Sequence, residues 1–462
     1  MSQRTNFDVL IIGAGQAGIP LAHALAKVGK RVGLVEREHL GGSCVNFGCT
    51  PTKAVISSAR IVHKARRAAE FGLKIPIIEV DFQAVLERAK RILMESRDGL
   101  QKDLKDSDNP KLLRGQARIE GRQSEMFSVR INDEVVRAAQ VVLDTGTRSL
   151  IPPIEGLTEV DFIDSENWLE TSELPKHLAI IGGGYIGLEM GQFYRRMGSR
   201  VTVIEESNQI VSHEDEDVAQ ALQKLLEMDG VEFELNSKVK QIASLNSGLA
   251  LTMETGDGPY QLEASRVFVA TGRKPNTDEL GLETVGVKLS DTGIVEANER
   301  LETNVKGIWV AGDIRGGPMF THTSWDDYRV LMSQIAGDGS HTTDRIVPYA
   351  IFTDPELGRV GTTEHEARKA DKNIKVGRYE MKKNGKAREE GETAGFVKVV
   401  IDADTKRMLG AAVLGAAGAE LVHLYVDLMN AGAPYTVIRD AVHIHPTMAE
   451  ALQSVLLDIP AE

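Results

Sequence analysis

Cysteine is the scarcest residue of this chain, with two among 462, and both fall in one short segment, "GGSCVNFGCTPTK", from Gly41 to Lys53. So low a count excludes a disulfide-stapled scaffold. Long apolar runs are missing as well. No stretch of about 18 apolar residues occurs, so no membrane-spanning helix is expected. Excess positive charge is missing too: the formal net charge is −13 and the sequence pI near 5.5, which leaves no basic footprint for a nucleic acid. The opening "MSQRTNFDVLIIGAG" lacks the three-part pattern of a signal peptide and runs straight into a strand-like segment. The expectation is a soluble, cytoplasmic protein with no nucleic-acid or membrane partner. In a reducing compartment, two neighbouring cysteines serve catalysis, redox sensing or metal binding, with a buried structural pair as the plainer alternative.

What is present is ordinary globular composition, 42% hydrophobic and 26% charged, in a chain long enough for two to four domains. Within it one unit occurs twice. "DVLIIGAGQAGIPLAHALAKVGKRVGLVERE", Asp8 to Glu38, is matched by "HLAIIGGGYIGLEMGQFYRRMGSRVTVIEES", His177 to Ser207. Gly13, Gly15, Gly18, Gly29, Val32 and Glu36 correspond to Gly182, Gly184, Gly187, Gly198, Val201 and Glu205 at a constant offset of 169 (182 less 13). Each copy predicts a buried strand, a glycine turn, a helix and a second strand. In G-x-G-x-x-G the first glycine permits the turn. The second lets backbone approach a pyrophosphate, and the third lets helix and strand pack closely. The helix N-terminus then points its amides and dipole at the phosphates. Each second strand ends in glutamate, 18 residues past the third glycine, where a carboxylate accepts from a ribose 2′-hydroxyl. The chain is therefore expected to bind two adenine dinucleotides.

At the second site, Glu205 and Glu206 are adjacent and no arginine shares their loop. A 2′-phosphate would meet carboxylates there, so NADH is expected over NADPH. Glu205 carries this expectation, and Glu206 is taken as a solvated helix-cap residue.

In the cysteine segment, Thr50 is a candidate helix cap and Pro51 suits a first turn, with Val55, Ala59 and Val62 at helical spacing. Cys49 then stands at a helix N-terminus, where the dipole favours a thiolate. Gly41, Gly42 and Gly48 keep the backbone slim. Lys53 falls in the first turn, on the side of the two sulfurs, as a candidate cation for a thiolate or a reduced flavin.

With these motifs in hand, the whole chain resembles the class I pyridine nucleotide–disulfide oxidoreductases, the family of dihydrolipoamide dehydrogenase, glutathione reductase and mercuric reductase. "GGSCVNFGCTPTK" is similar to that family's redox-active disulfide motif. The resemblance implies an α/β fold with two Rossmann-like dinucleotide-binding domains, for FAD and NAD, and an α+β C-terminal dimerisation domain. The expected ranges are 1–147 for the first FAD segment, 148–272 for the NAD(P) domain, 273–345 for the second FAD and central segment, and 346–462 for the interface. It places FAD at Gly13, Gly15, Gly18 and Glu36, and NAD(P)H at Gly182, Gly184, Gly187 and Glu205. Cys44 matches the interchange cysteine and Cys49 the charge-transfer cysteine. Lys53 matches the lysine by the flavin's reactive nitrogen, Glu189 its carboxylate partner, and Tyr185 an aromatic gate over the nicotinamide.

Further segments resemble the family in order. "VVLDTGTRS" puts Thr145 and Gly146 near FAD, "TNVKGIWVAGDI" puts Asp313 on the ribitol chain, and Ala117 approaches the adenine side. Val239 and Gly272, the latter in "VFVATGRKPNT", are implied at the nicotinamide nucleotide. In the terminal "HIHPTMAEALQSVL", histidine is the natural acid–base group near neutral pH. The resemblance makes His445 the proton carrier, oriented by Glu450, and reaching the other subunit's disulfide, which implies a homodimer. Hydride would pass from NADH to FAD and on to Cys44–Cys49.

The acceptor is left open among a disulfide, a metal ion and a reactive oxidant. No third thiol exists near the C-terminus of the kind typical mercuric reductases use, and no resident metal is expected. "GGPMFTHTSWDDYRVL" departs from the dihydrolipoamide dehydrogenase pattern and is closer to mercuric-reductase-like bacterial flavoproteins. The rival readings are a flavin NADH oxidase or transhydrogenase whose disulfide tunes the flavin, and a cysteine-pair redox sensor.

Overall fold

The computed structural model describes residues 6–105, 107–256 and 258–459. The chain forms two compact units.

The first unit comprises 1–54, 86–150 and 272–345. Its centre is a parallel sheet in the order Lys111–Arg114, Val32–Glu36, Asn6–Ile12, Glu134–Leu143, Ile308–Val310. Register is fixed by pairs such as Val9 with Val32 and Ile308 with Val141. The strand Glu134–Leu143 is long enough to do two jobs. Its end joins the parallel sheet, and its start closes an antiparallel meander with Met126–Ile131 and Ala117–Gln123. Side chains alternate along Asn6–Ile12. Val9 and Ile11 enter a core with Leu21, Leu25 and Leu331, whereas Leu10 and Ile12 enter another with Ile119, Phe127 and Val129. Burial on both faces is why the run is continuously apolar, and each such side chain adds roughly 1.5–3 kcal/mol by leaving water. The helix Gly18–Lys27 turns Ile19, Leu21, Ala22 and Leu25 inward.

The second unit comprises 55–85, 151–271 and 346–462. It repeats the plan: a parallel sheet of Val231–Glu234, Arg200–Ile204, His177–Ile181 and Arg266–Val269. A meander of Lys238–Leu245, Gly248–Thr255 and Gly258–Ala264 follows. The duplication seen in the glycine turns thus extends to the meander and the return strand. The C-terminal part is a five-stranded antiparallel sheet ordered Tyr349–Ile351, Glu356–Gly361, Met408–Gly415, Phe396–Asp402, Ile374–Glu380. The segments "GFVKVVID" and "MLGAAVLG" lie in two of these strands. Helix Glu450–Leu457 packs Ala451, Leu452, Val455 and Leu456 into the core that holds Val397, Val399 and Ile401. Among the described residues no helix is long and apolar enough to cross a membrane.

Candidate active site

The two glycine turns share their geometry down to single hydrogen bonds. Gly13 and Gly182 have φ of +108° and +112°, and a Cβ on either would collide with a strand carbonyl, of Asp144 at 2.1 Å and of Ala270 at 2.4 Å. A Cβ on Gly18 or Gly187 would lie 2.2 or 2.1 Å from the carbonyl of Gly13 or Gly182, so the helix sits directly on the turn. Glu36 accepts the backbone N–H groups of Ala14 (3.0 Å) and Glu38 (2.8 Å). Glu205 accepts those of Gly183 (2.7 Å) and Ser207 (2.8 Å). Each carboxylate is therefore pinned at its strand end with one oxygen on either side, and its remaining lone pairs are available to ribose hydroxyls. This donor set fits adenine dinucleotides at both turns.

The copies differ at the second glycine. Around Gly184 a Cβ would meet nothing within 4 Å, an open cradle. A Cβ on Gly15 would instead lie 2.9 Å from the Asp144 carboxyl oxygen. At Gly15, therefore, a protein side chain as well as close ligand approach calls for glycine.

The cysteine segment is built onto the first turn. The Gly41 N–H donates to the Ala14 carbonyl at 2.8 Å, and the Gln16 side chain donates back to the Gly41 carbonyl at 2.9 Å. Gly42 comes so close that a Cβ would lie 3.0 Å from the Gly15 Cα. One helical turn, Gly42–Asn46, carries Cys44, and the helix Cys49–Arg66 begins at Cys49 itself. Thr50 thus lies inside the helix, not at its cap. The Gly48 carbonyl starts the ladder by accepting from Thr52 N–H at 3.0 Å. Buried Asn46 braces the turn: it donates to the carbonyls of Leu40 and Gly42 and accepts from Arg97 at 2.9 and 2.6 Å.

Both cysteines are thiols here, and neither is fully buried. The hydrogen bond with Cys49, followed by burial, pushes the Cys44 thiol up, while Thr321 and the charge of Lys53 pull it back. A thiol whose proton is held in this way needs a base before it attacks. The Thr321 hydroxyl lies 3.1 Å from the Cys49 sulfur.

Asp313 lies in a short 3₁₀ turn, Gly312–Arg315. Its Oδ2 accepts from the Thr147 hydroxyl at 3.1 Å, and Arg273 donates to the same hydroxyl at 2.6 Å and to the Thr147 carbonyl at 2.8 Å. Burial raises the Asp313 carboxyl against the nearby Arg273 charge. Buried Asp327 anchors the turn by accepting from Gly312 N–H and Arg315, both at 2.9 Å, and from Arg345 at 2.5 Å. The Thr145 hydroxyl donates to the Asn276 carbonyl at 2.8 Å, and the Gly146 carbonyl accepts the Asn276 N–H at 2.9 Å. Ala117 is buried at the start of its strand, two residues after Gly115, whose N–H donates to the Glu36 carbonyl at 3.0 Å. Thr147, Arg273, Thr321, Asp327 and Asn46 escaped sequence reasoning. Each lies in a segment whose motif was read for other residues, and each acts through a partner in a different segment.

In the second unit, Tyr185 opens the helix Tyr185–Met197, directly after Gly184. Val239 is buried in the apolar cluster with Ile204 and Val267, which leaves its backbone for any ligand contact. Gly272 follows the return strand as Gly146 does in the first copy, at φ +133° against +63°. Glu189 is buried and accepts from the Phe352 N–H at 2.9 Å. His445 and Glu450 are brought together: Nδ1 lies 3.0 and 3.2 Å from the two carboxylate oxygens, and Thr447 N–H donates to Glu450 at 2.8 Å. Those two hydrogen bonds, Thr447 first, hold the Glu450 carboxyl below its ordinary range. The His445 side chain is 76% exposed, and with Nδ1 engaged its Nε2 is the nitrogen left to exchange protons.

Comparison with known proteins agrees across the chain's length. Residues 7–327 match the pyridine nucleotide-disulphide oxidoreductase family, and 347–456 match its dimerisation domain. The chain is 34% identical over 451 residues to a probable pyridine nucleotide-disulfide oxidoreductase, RclA, of Escherichia coli, covering 96% of this chain and 98% of that one. It is 35% identical to a dihydrolipoyl dehydrogenase of Thermus scotoductus, covering 96% of each. The solved Cu(II) complex of the HOCl-induced flavoprotein disulfide reductase RclA from Escherichia coli superposes with a TM-score of 0.88 at 33% identity, covering 97% of this chain and 99% of that one.

Proposed function

The chain belongs to the pyridine nucleotide-disulphide oxidoreductase family, and from that premise we propose that it oxidises NADH and passes the electrons through Cys44 and Cys49 to an acceptor that reacts at Cys44. The chain is an enzyme, an FAD-dependent oxidoreductase of this family, and it carries the family's dimerisation domain. Bound FAD and NAD(P)H supply two-electron hydride chemistry that ends in reduction of the protein disulfide. The rest is the work of this chain's residues.

Gly13, Gly15, Gly18 and Glu36, with Ala117, Thr145, Gly146 and Asp313, hold the flavin nucleotide. Gly182, Gly184, Tyr185, Gly187 and Glu205, with the Val239 backbone and Gly272, hold the nicotinamide one. Lys53 and Glu189 keep the roles the resemblance implies. The pinned Glu205 favours a free 2′-hydroxyl and so NADH. The domain ranges stated from sequence are retained as part of this proposal.

The observation that carries the proposal is the Cys44–Cys49–Thr321 cluster, in which the Thr321 hydroxyl lies 3.1 Å from the Cys49 sulfur, while the hydrogen bond with Cys49 and burial hold the proton on Cys44, so that Cys44 needs a base. His445, oriented by Glu450, is that base, and in the homodimer each subunit's His445 serves the other's disulfide. With a disulfide acceptor, the Cys44 thiolate bonds one acceptor sulfur and the acceptor S–S bond breaks. The departing thiolate takes the proton held at His445 Nε2. Cys49 then gives up its proton and attacks the Cys44 sulfur, which re-forms the protein disulfide, and the second acceptor sulfur leaves as a thiolate that takes up that proton. A thiophilic ion is the second acceptor class, and the Cu(II) bound to RclA supports including it. There the dithiol gives one electron to each of two Cu(II) ions, two protons leave, and the disulfide closes.

The test is an acceptor panel of lipoamide, glutathione disulfide, Hg(II), Cu(II) and hypochlorous-acid products, each with NADH and with NADPH. One acceptor is expected to turn over far faster than the rest, with NADH preferred. Equal, slow rates with every acceptor but fast consumption of oxygen would favour the oxidase reading instead.

A further inference from the structure

Asp144 follows the last residue of the strand Glu134–Leu143 and is buried, yet it belongs to none of the roles above. Its Oδ2 accepts the N–H of Gly18, the third glycine of the first turn, at 2.7 Å. A Cβ on Gly15 or Gly18 would lie 2.9 Å from that same oxygen, and one on Gly312 would lie 2.9 Å from the other. Three glycines thus leave room for one carboxyl in the floor of the first cradle.

The second copy supplies an internal comparison. Asp144, Thr145 and Gly146 correspond to Ala270, Thr271 and Gly272, as the collisions at Gly13 and Gly182 establish. Where the first cradle has a carboxyl, the second has a methyl group, and Gly184 is open.

A carboxyl in this place meets amides whose role is to receive a pyrophosphate. Ionised, it competes for them and repels the phosphates. Protonated, it no longer repels the phosphates, it competes for the amides only as a weaker, neutral acceptor, and its hydroxyl is a hydrogen-bond donor. The groups that face it are the amides of Gly15 and Gly18 and the carboxylates of Asp313 and Asp327. Asp327 is paired with Arg315 and Arg345, and Asp313 has Arg273 nearby. Among the described residues no cation pairs with Asp144. Burial, then Asp313 and Asp327, pushes its carboxyl well above the usual range, against the pull of the Gly18 and Gly15 amides.

We propose that Asp144 is a proton-dependent element of the first cradle: the chain retains its flavin nucleotide with a proton on the Asp144 carboxyl, and loss of that proton loosens it. The second cradle, with Ala270, has no such dependence. The proposal rests on the first turn being the FAD site.

The test is reconstitution of full-length apoprotein with FAD, followed by flavin fluorescence between about pH 6 and about pH 9. One linked proton makes the wild-type Kd rise by up to about tenfold per pH unit above the free carboxyl's titration. Asp144→Asn is expected to give a flat profile, within about threefold of wild type at the acid end. Calorimetry in two buffers of different ionisation heat should show proton uptake on binding for wild type and none for Asp144→Asn. If Asp144→Asn does not fold, as judged by NADH binding, Asp144→Ala, the residue the second copy uses, replaces it. A flat wild-type profile, or a slope that persists in the variant, overturns the proposal. Glu36→Ala in the same titration separates the premise: unchanged FAD affinity there would mean that the first turn is not the FAD site.

Discussion

The hydroxyl of Thr321 lies 3.1 Å from the sulfur of Cys49, although 272 residues separate them in sequence. A hydrogen bond to a charged sulfur contributes about 1.5–3 kcal/mol, or roughly one to two pKa units. Thr321→Val is therefore expected to raise the pH at which the two-electron-reduced enzyme develops its long-wavelength thiolate–flavin absorbance by about one unit or more. Thr321→Ser should restore it. An unchanged absorbance titration in Thr321→Val would mean the hydroxyl does not support the thiolate.

His445 and Glu450 act on the acceptor half of the cycle only. Removing a positioned acid–base group costs about 10²- to 10⁴-fold. His445→Gln is expected to slow turnover with a disulfide acceptor by that amount, while anaerobic stopped-flow reduction of the flavin by NADH stays near wild type. Glu450→Gln should give a smaller loss, roughly tenfold, because the imidazole is misoriented but present. Slowed flavin reduction in either variant would contradict this division.

Glu205 should govern the choice of nicotinamide nucleotide. Its two backbone donors hold it in place, so its loss removes a charged hydrogen bond from the ribose, worth about 1.5–3 kcal/mol. Glu205→Ala is expected to raise the KM for NADH about tenfold or more and to leave that for NADPH equal or lower. A wild-type enzyme that prefers NADPH would refute the assignment outright.

Asp229 gives the second unit an acid limit. It accepts from Arg196 at 2.8 Å and Gln192 at 2.7 Å, and lies 3.3 Å from His63. Burial raises its carboxyl, but His63, Arg196 and Gln192 outweigh that and bring it down to about 2. A carboxyl depressed on folding adds stability above its unfolded value of about 3.9, and that stability is lost as pH falls through about 2. Asp229→Asn is expected to cost about 2 kcal/mol at neutral pH, roughly 5 °C in Tm. The gap to wild type should narrow below about pH 4 and close near pH 2. A gap of constant size across that range would show that the carboxylate's ionisation is not the source.

Much of this was legible in the sequence because glycine positions and strand-end glutamates report backbone requirements directly. The offset of 169 residues was sufficient to find both cradles, and the cysteine motif stood beside a helix start. What stayed hidden was tertiary. Thr147, Arg273 and Asp313 converge from three segments, and nothing in any one of them signals the others. Asn46 and Arg97 meet only because one helix crosses behind the cysteine turn. The helix start was misplaced by two residues, since Thr50 resembles a cap while Gly48, with no side chain to offer, performs that role through its carbonyl. Asp144 stood inside "VVLDTGTRS" with no role assigned to it. Only the geometry of Gly15, Gly18 and Gly312 around its carboxyl shows where it points.

The most direct test of the disulfide route is steady-state turnover of Cys44→Ser with the best acceptor of the panel at saturating NADH, beside anaerobic bleaching of its flavin by NADH. If electrons leave through Cys44, the flavin still bleaches while acceptor turnover falls to the background rate. Turnover that survives the substitution would contradict the disulfide route and place electron exit at the flavin itself.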